Sequence, residues 1–517
     1  MTGCVAGLTD HQRRAVAELS VEELTGALHP GFACEAGILL TCGLAASPGA
    51  ASGLAAVGSQ AALDLASAGN TVILVATETT PADVAAMGLS AGILTARGGL
   101  ASHAAVVARG WGIPAVCDAR EITFHHDGFA VGDRRIANGV PISIDGSTGE
   151  VTLGERDIAG SATAGTDPDF GLPAEMTDVL SWADRLARGR LAVFANADSA
   201  LDAATARTLG AQGIGLCRTE HMFLSPDRLE IVQHVILSGH DEHLDDLVAA
   251  QRADFHELLV VMDGLPVTVR LLDAPMHEFL AGADPESASQ WEEHNPMLGV
   301  RGVRLGLLRP DLYAAQVQAL AGAVGDWRAA GGTARVEIMV PLVATAGELS
   351  AAVGAVRTAW EHAQRGPVPP IGTMIETPRA CLIADQLAAG VSFASFGTND
   401  LTQMVFGFSR DDTATRVIAP YLEDGLLDAD PFVSLDRAGV GELVSSALAR
   451  GRGINPELRA GICGEHGGDP TSIRFAIQAG LDYVSCSPYR VPIARLAAAQ
   501  SLLAAATEQG APGPIPS

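Results

Sequence analysis

Gly92-Ile-Leu-Thr-Ala-Arg-Gly-Gly-Leu-Ala-Ser-His103-Ala-Ala-Val-Val-Ala-Arg-Gly-Trp-Gly-Ile-Pro-Ala115 is the stretch from which the rest of the chain can be read. Ala91 to Leu94 and the earlier run Val72 to Val75 have the pattern of short apolar strands. Gly98 and Gly99 break that pattern and permit a sharp turn. Ser102 suits a helix N-cap, and Ala104 to Arg109 reads as a small-residue helix stopped by Gly110 and Gly112. His103 then falls in the first turn of a helix beside a glycine loop. Unpaired backbone N–H groups and the positive helix end favour an anion there. They also disfavour an imidazolium, so the ring stays neutral and nucleophilic. A lone histidine after a Gly-Gly turn is also commonly no more than an exposed helix start, and local physics leaves both readings open.

The surroundings narrow the function. The chain has 517 residues, enough for two or three domains with sizeable cores. Its 33 basic and 60 acidic residues give a net charge of −27. That balance argues against nucleic acid or an anionic membrane as a general partner. An anionic substrate needs local arginines against this background. Eight cysteines are scattered with no CxxC pair and read as reduced thiols. No signal-peptide pattern or membrane-spanning apolar run is present, so a cytoplasmic protein is expected.

Four segments follow from the rhythm of the chain. Residues 1–40 form an N-terminal helical segment, with apolar positions at helical spacing from Asp10 to Leu28. Residues 41–155 form a compact, β-rich domain around His103, entered by a turn at Ala46 to Gly53. Pro81 suits the first turn of a helix. Residues 156–190 are a linker, with a mobile Gly/Ser/Thr/Asp-rich run from Gly160 to Gly171 and a helix from Met176 to Ala187. From 191 to 510 apolar strands alternate with amphipathic helices. The strand candidates are Ala192–Asn196, Gly213–Cys217, Val267–Leu272, Val336–Pro341, Ile371–Ile375, Phe393–Gly397, Ala460–Cys463 and Tyr483–Cys486. This predicts an α/β chain: a β/α domain bearing His103, then a (β/α)8 TIM barrel. The tail after Gly510 reads as frayed.

Chemistry in such a barrel lies where its strands end. Arg218 and Arg270 each close a strand. One alone reads as readily as a surface ion pair, but two at one barrel mouth suit a phosphate or carboxylate clamp. Arg301, on a loop, is a third candidate whose surface reading is equally good. Glu376 ends the fifth strand and Asp400 follows the sixth. Asp400 alone could cap a helix, whereas the pair suits Mg²⁺, which takes one or two carboxylates plus water and substrate oxygens. Gly397 and Thr398 bring backbone close to a ligand, and Asn399 can donate to it. Cys463, in Gly461-Ile-Cys-Gly-Glu-His-Gly-Gly468, is either a buried structural thiol or one exposed by its glycines as a carbon acid/base.

The His103 string and these strand-end motifs resemble the phosphoenolpyruvate-utilising enzymes, most closely their pyruvate phosphate dikinase branch. The resemblance runs from Leu28-His29-Pro30 almost to the C-terminus. It implies that His103 carries a phosphoryl group and that the 41–155 domain swivels. Arg218, Arg270 and Arg301 would bind phosphoryl and carboxylate groups of phosphoenolpyruvate. Glu376 and Asp400 would hold Mg²⁺, Gly397, Thr398 and Asn399 would touch substrate, and Cys463 would move the methylene proton. The expected function is phosphoryl transfer between phosphoenolpyruvate/pyruvate and His103. The resembling family's ATP-binding module is expected to be absent, with the ATP/AMP half-reaction supplied by a separate ATP-grasp subunit. A homodimer through the barrel is also implied. An enzyme I-like transfer to a carrier protein and a non-catalytic phosphoenolpyruvate sensor are the alternatives. Ala101 stands where many relatives have a regulatory threonine.

Overall fold

The computed structural model describes residues 8–510 apart from 35–36, 81–82, 101, 160–171, 224–225, 239–242, 274, 281–290 and 364. The expectations for Pro81, Ala101, the Gly160–Gly171 run and the tail after Gly510 lie outside the described residues. The chain divides into two compact units, one of residues 1–186 with 408–434, the other of 187–407 with 435–517.

The first unit opens with α1 (Asp10–Glu18) and α2 (Val21–Leu28). The single helical run expected over Asp10 to Leu28 is broken because Ser20 and Glu23 form a capping box that starts a new helix. An eight-stranded sheet follows. Its strands are β1 (Ile38–Cys42), β2 (Leu44–Ser47), β3 (Ala50–Val57), β4 (Val72–Ala76), β5 (Gly92–Thr95), β6 (Ala115–Cys117), β7 (Pro141–Asp145) and β8 (Glu150–Leu153). They lie in the order β1-β8-β7-β3-β4-β5-β6-β2. The turn expected over Ala46 to Gly53 is therefore mostly strand. Only Pro48-Gly49 turns, with Gly49 at φ +117°. Small residues at 50–53 let β3 lie between β7 and β4, and an added side chain at Gly53 would strike the Thr71 backbone.

The sheet is buried on both faces. Ile73 and Val75 of β4 join one apolar cluster, Val72 and Leu74 the other. The second cluster is covered by α3 (His103–Trp111), through Ala104, Ala105 and Ala108. A strand buried on both faces reads as an unbroken apolar run, which is why β4 and β5 were plain in the sequence.

The helix α4 (Ala174–Ala187) closes the 1–186 stretch of the first unit, and the second unit is built on a closed barrel of eight strands. These are β9 (Ala192–Asn196), β10 (Ile214–Arg218), β11 (Pro266–Arg270), β12 (Arg335–Val340), β13 (Ile371–Ile375), β14 (Phe393–Phe396), β15 (Arg459–Ile462) and β16 (Tyr483–Cys486). Neighbours pair in parallel, and β16 closes on β9. Each expected strand is present, with ends shifted by a residue or two. Between the strands and the surrounding helices runs one apolar core. Its lining demands small residues where rings approach. An ideal Cβ on Gly461 of β15 would sit 2.5 Å from the Tyr483 ring, which itself stacks on Phe194 at 5.2 Å. Gly461→Ala is therefore expected to overpack the barrel and cost about 1–3 kcal/mol. The urea midpoint of the barrel's unfolding transition would show it.

Candidate active site

His103 is the first helical residue of α3, and Ser102 caps it, its hydroxyl accepting from Ala105 N–H at 3.4 Å. Gly98 turns the loop at φ +117°, and a side chain there would press on Ser102. Parallel pairing of β4 and β5 continues past the strands, with Arg97 N–H bonded to Thr77 O at 2.8 Å. That zipper places Thr79, buried at 8% exposure, beside the ring: its Oγ1 lies 3.0 Å from His103 Nδ1. Thr79 was not singled out from sequence. Its signal was position alone, a hydroxyl just past the strand neighbouring the histidine loop.

The barrel mouth is built of charge. Arg218 and Arg270 end adjacent strands and are direct register partners. Arg270 is paired with Glu220, and its Nη1 lies 3.3 Å from Asp273 Oδ2. Arg301 donates to both oxygens of Asp273, each at 2.8 Å, and reaches Asp400 at 3.3 and 3.4 Å. Arg301 is thus buried, at 4% exposure, and its surface reading is overturned. Burial alone would depress both guanidiniums, but Glu220, Asp273 and Asp400 around them hold them firmly protonated. Burial pushes Asp273 up, and the two arginines pull it below the usual carboxylate range.

Glu376 is fully buried; its Oε1 accepts the Leu342 N–H at 2.6 Å, and its Oε2 has no protein partner. Leu342 delivers that N–H from left-handed backbone, φ +55°. Burial first, then the Asp400 and Asp273 charges, push Glu376 up to about 8. An unpartnered carboxylate oxygen beside a second carboxylate fits a hard cation with open positions. Asp400 does not cap its helix α5 (Thr398–Phe406), whose N-cap is Gly397, and is held by Arg301 instead. Gly397 is bare for a reason: a Cβ there would lie 2.5 Å from Glu376 Oε2.

Cys463 follows β15 and is 1% exposed, so its glycines do not bring the thiol to solvent. It packs with Leu216, Met339, Met374 and Phe393. Burial pushes the thiol up to about 11, which keeps its proton on at neutral pH, as a proton donor requires. The barrel thus gathers Arg218, Arg270, Arg301, Glu376, Gly397, Thr398, Asn399, Asp400 and Cys463 at the C-terminal ends of its strands, while His103 belongs to the first unit. No group of three or more potential metal-binding side chains occurs among the described residues, so a cation here rests on the carboxylate pair.

Glu220, Asp273, Asp198 and His221 were missed from sequence, although each sits within three residues of a recognised arginine or just past a strand. Asp198 accepts from the Arg218 N–H at 2.6 Å and faces His221 Nδ1 at 2.8 Å. Burial pushes Asp198 up, but His221 and Arg218 bring it down to about 2.

With fold and site in view, the comparisons fall into place. The family described as PEP-utilising enzyme, PEP-binding domain, matches residues 175–503. The mobile domain of the same enzymes matches residues 69–149. The chain belongs to the PEP-utilising enzymes. Among curated proteins, the chloroplastic pyruvate, phosphate dikinase 1 of Arabidopsis thaliana is 46% identical over 522 residues, covering 95% of this chain and 53% of that protein. The chloroplastic pyruvate, phosphate dikinase of Flaveria pringlei is 46% identical, with 96% and 54% covered. Pyruvate, phosphate dikinase 2 of Zea mays is 45% identical, with 95% and 58% covered. The chain spans about half the length of the curated relatives it matches. Among solved structures, an HpcH/Hpal aldolase/citrate lyase family protein from Burkholderia cenocepacia J2315 aligns with 64% of this chain and 96% of its own. That alignment has 15% identity and a TM-score of 0.31, too slight a likeness to bear on function. No described helix is long and apolar enough to cross a membrane.

The Asp198–His221 pair makes a pH-dependent contribution. Partial desolvation pulls the half-exposed imidazole down, and the Asp198 charge and hydrogen bond more than offset it, raising it above its ordinary 6.5. A raised imidazole stabilises the fold fully below its unfolded value and ceases to do so as pH rises through the folded one. The stability lost in His221→Gln is therefore expected to be larger at about pH 6 than at about pH 9, read by thermal unfolding.

Proposed function

We propose that the chain transfers a phosphoryl group between phosphoenolpyruvate and His103, the pyruvate half of a dikinase-type reaction. The observation that carries this reading is the barrel mouth itself. Guanidiniums, an unpartnered carboxylate oxygen and a protonated thiol meet over an apolar floor, as a small phosphorylated carboxylic acid requires. Arg218, Arg270 and Arg301 bind its phosphoryl and carboxylate oxygens. The family resemblance makes Nε2 of His103 the nitrogen that forms the N–P bond as the enol oxygen–phosphorus bond breaks, with Thr79 engaging Nδ1. The arginines stabilise the equatorial oxygens during that in-line transfer. The enolate left behind takes its proton at the methylene carbon from Cys463 Sγ, giving pyruvate, and solvent restores the thiol. Asn399, with its side-chain oxygen engaged by Glu465 N–H, turns its amide donors to the substrate.

Glu376 and Asp400 would hold Mg²⁺, which when bound supplies Lewis-acid stabilisation of the enolate oxygen. That role fits the burial and raised affinity for protons of Glu376, since a cation would neutralise the same crowded charge. A nucleotide-binding site outside these 517 residues, on an ATP-grasp partner, would exchange the phosphoryl group on His103 with ATP and AMP.

Two experiments test this. Radioactive phosphoenolpyruvate should label the protein in acid-labile form, and His103→Ala should abolish the label; undiminished label removes His103 as nucleophile. Solvent protons should also exchange into the methyl group of pyruvate in the phosphorylated protein with Mg²⁺. Cys463→Ala should slow that exchange by about 100-fold or more, and exchange at the parental rate would exclude the thiol.

A further inference from the structure

Cys463 and the Gly397–Asp400 segment follow neighbouring strands, β15 and β14. Four bonds tie the end of β14 and this segment to the Cys463 loop, the longest from Cys463 Sγ to Phe396 O at 3.7 Å. Cys463 N–H donates to Phe396 O at 3.1 Å. Glu465 N–H donates to Asn399 Oδ1 at 3.0 Å. His466 Nδ1 lies 2.7 Å from Thr398 Oγ1. His466 and Thr398 are both fully buried, at 0% exposure, so each polar atom is costly unless satisfied. The approach is close enough to exclude a side chain between the segments. A Cβ on Gly464 would stand 2.2 Å from Thr398 Oγ1 and 2.9 Å from Asn399 Oδ1. Gly467, behind the loop, is pressed on the Ser485 backbone, where a Cβ would lie 2.3 Å from Ser485 O. From the other side, Asn196 Nδ2 donates to Cys463 O at 3.1 Å.

We infer that His466 is a positioning residue: through Thr398 it fixes the Gly397–Asp400 turn against the Cys463 loop, setting the donor thiol and the Asn399 amide in one frame. The inference rests on the function proposed above and adds a residue which that function does not name. The geometry has two ends. Thr398 is the first residue of α5, next to Asn399 and two before Asp400, so rotation about Thr398 moves both. Cys463 lies three residues before His466, with only glycine and glutamate between, so slack at His466 is passed to the thiol. A proton donor displaced by about 1 Å loses about 100-fold in rate while binding can persist, because binding is shared by arginines held elsewhere.

The test compares His466→Leu, His466→Asn and Thr398→Val, alone and as the His466→Leu/Thr398→Val double variant, in proton exchange into pyruvate. His466→Leu should lower kcat by about 10- to 100-fold with KM within about threefold. His466→Asn, whose amide can reach the same hydroxyl, should recover much of the loss. Thr398→Val should resemble His466→Leu, and the double variant should be no worse than the poorer single one. Parental kcat in His466→Leu, or additive losses in the double variant, would overturn the inference. Should His466→Leu fail to fold, Thr398→Val and His466→Asn decide the matter. Absence of both labelling and exchange in the parent protein would instead sink the proposed function.

Discussion

Glu220, Arg270, Asp273, Arg301 and Asp400 form one chain of alternating charge across the barrel mouth, and the rest of the site depends on it. None of these groups could be buried alone, since stripping water from one ion costs several kcal/mol. Held together, each supplies what its neighbour lost. Asp273 is the keystone, with no exposed side-chain surface and a guanidinium on either side. Three carboxylates against two guanidiniums leave a surplus of negative charge before Glu376 is counted. On the function proposed, that surplus is what a bound cation would offset as an anion enters.

The first unit solves a different problem. Beside His103 stand the backbone at the start of α3, the Ser102 cap and the Thr79 hydroxyl. On the function proposed, a phosphoryl group on the ring would meet backbone donors at the helix start. The barrel mouth, by contrast, concentrates charge, which on the proposed function would act where electron density shifts during bond breaking.

Much of this was legible in the chain. The barrel strands are sheathed on both sides and spell continuous apolar runs, and the residues closing them stand out as abrupt polar endings. Features that depend on distant pairing were not. Arg301 meets Asp273 and Asp400 across 28 and 99 positions, so nothing local separated it from a surface arginine. For Cys463 the sequence left burial and exposure both open: flanking glycines imply access, but here Gly461 lets the Tyr483 ring approach and Gly464 lets Thr398 approach. The break at Ser20 was visible as a capping box yet overridden by a helical period spanning it. Ala46 to Gly53 misled because its small polar residues suit a turn and a crowded strand equally well.

Arg218 and Arg270 face one another across the ladder between β10 and β11. Their separation is therefore fixed by inter-strand hydrogen bonds, not by the loops that follow. Over long descent, connecting segments can lengthen, shrink or acquire new partners without disturbing the gap between those two cations. A single-residue slip inside either strand would instead turn one of them to the opposite face. Tolerance to insertion and deletion in this lineage should thus be sharply partitioned, generous between strands and nil within them.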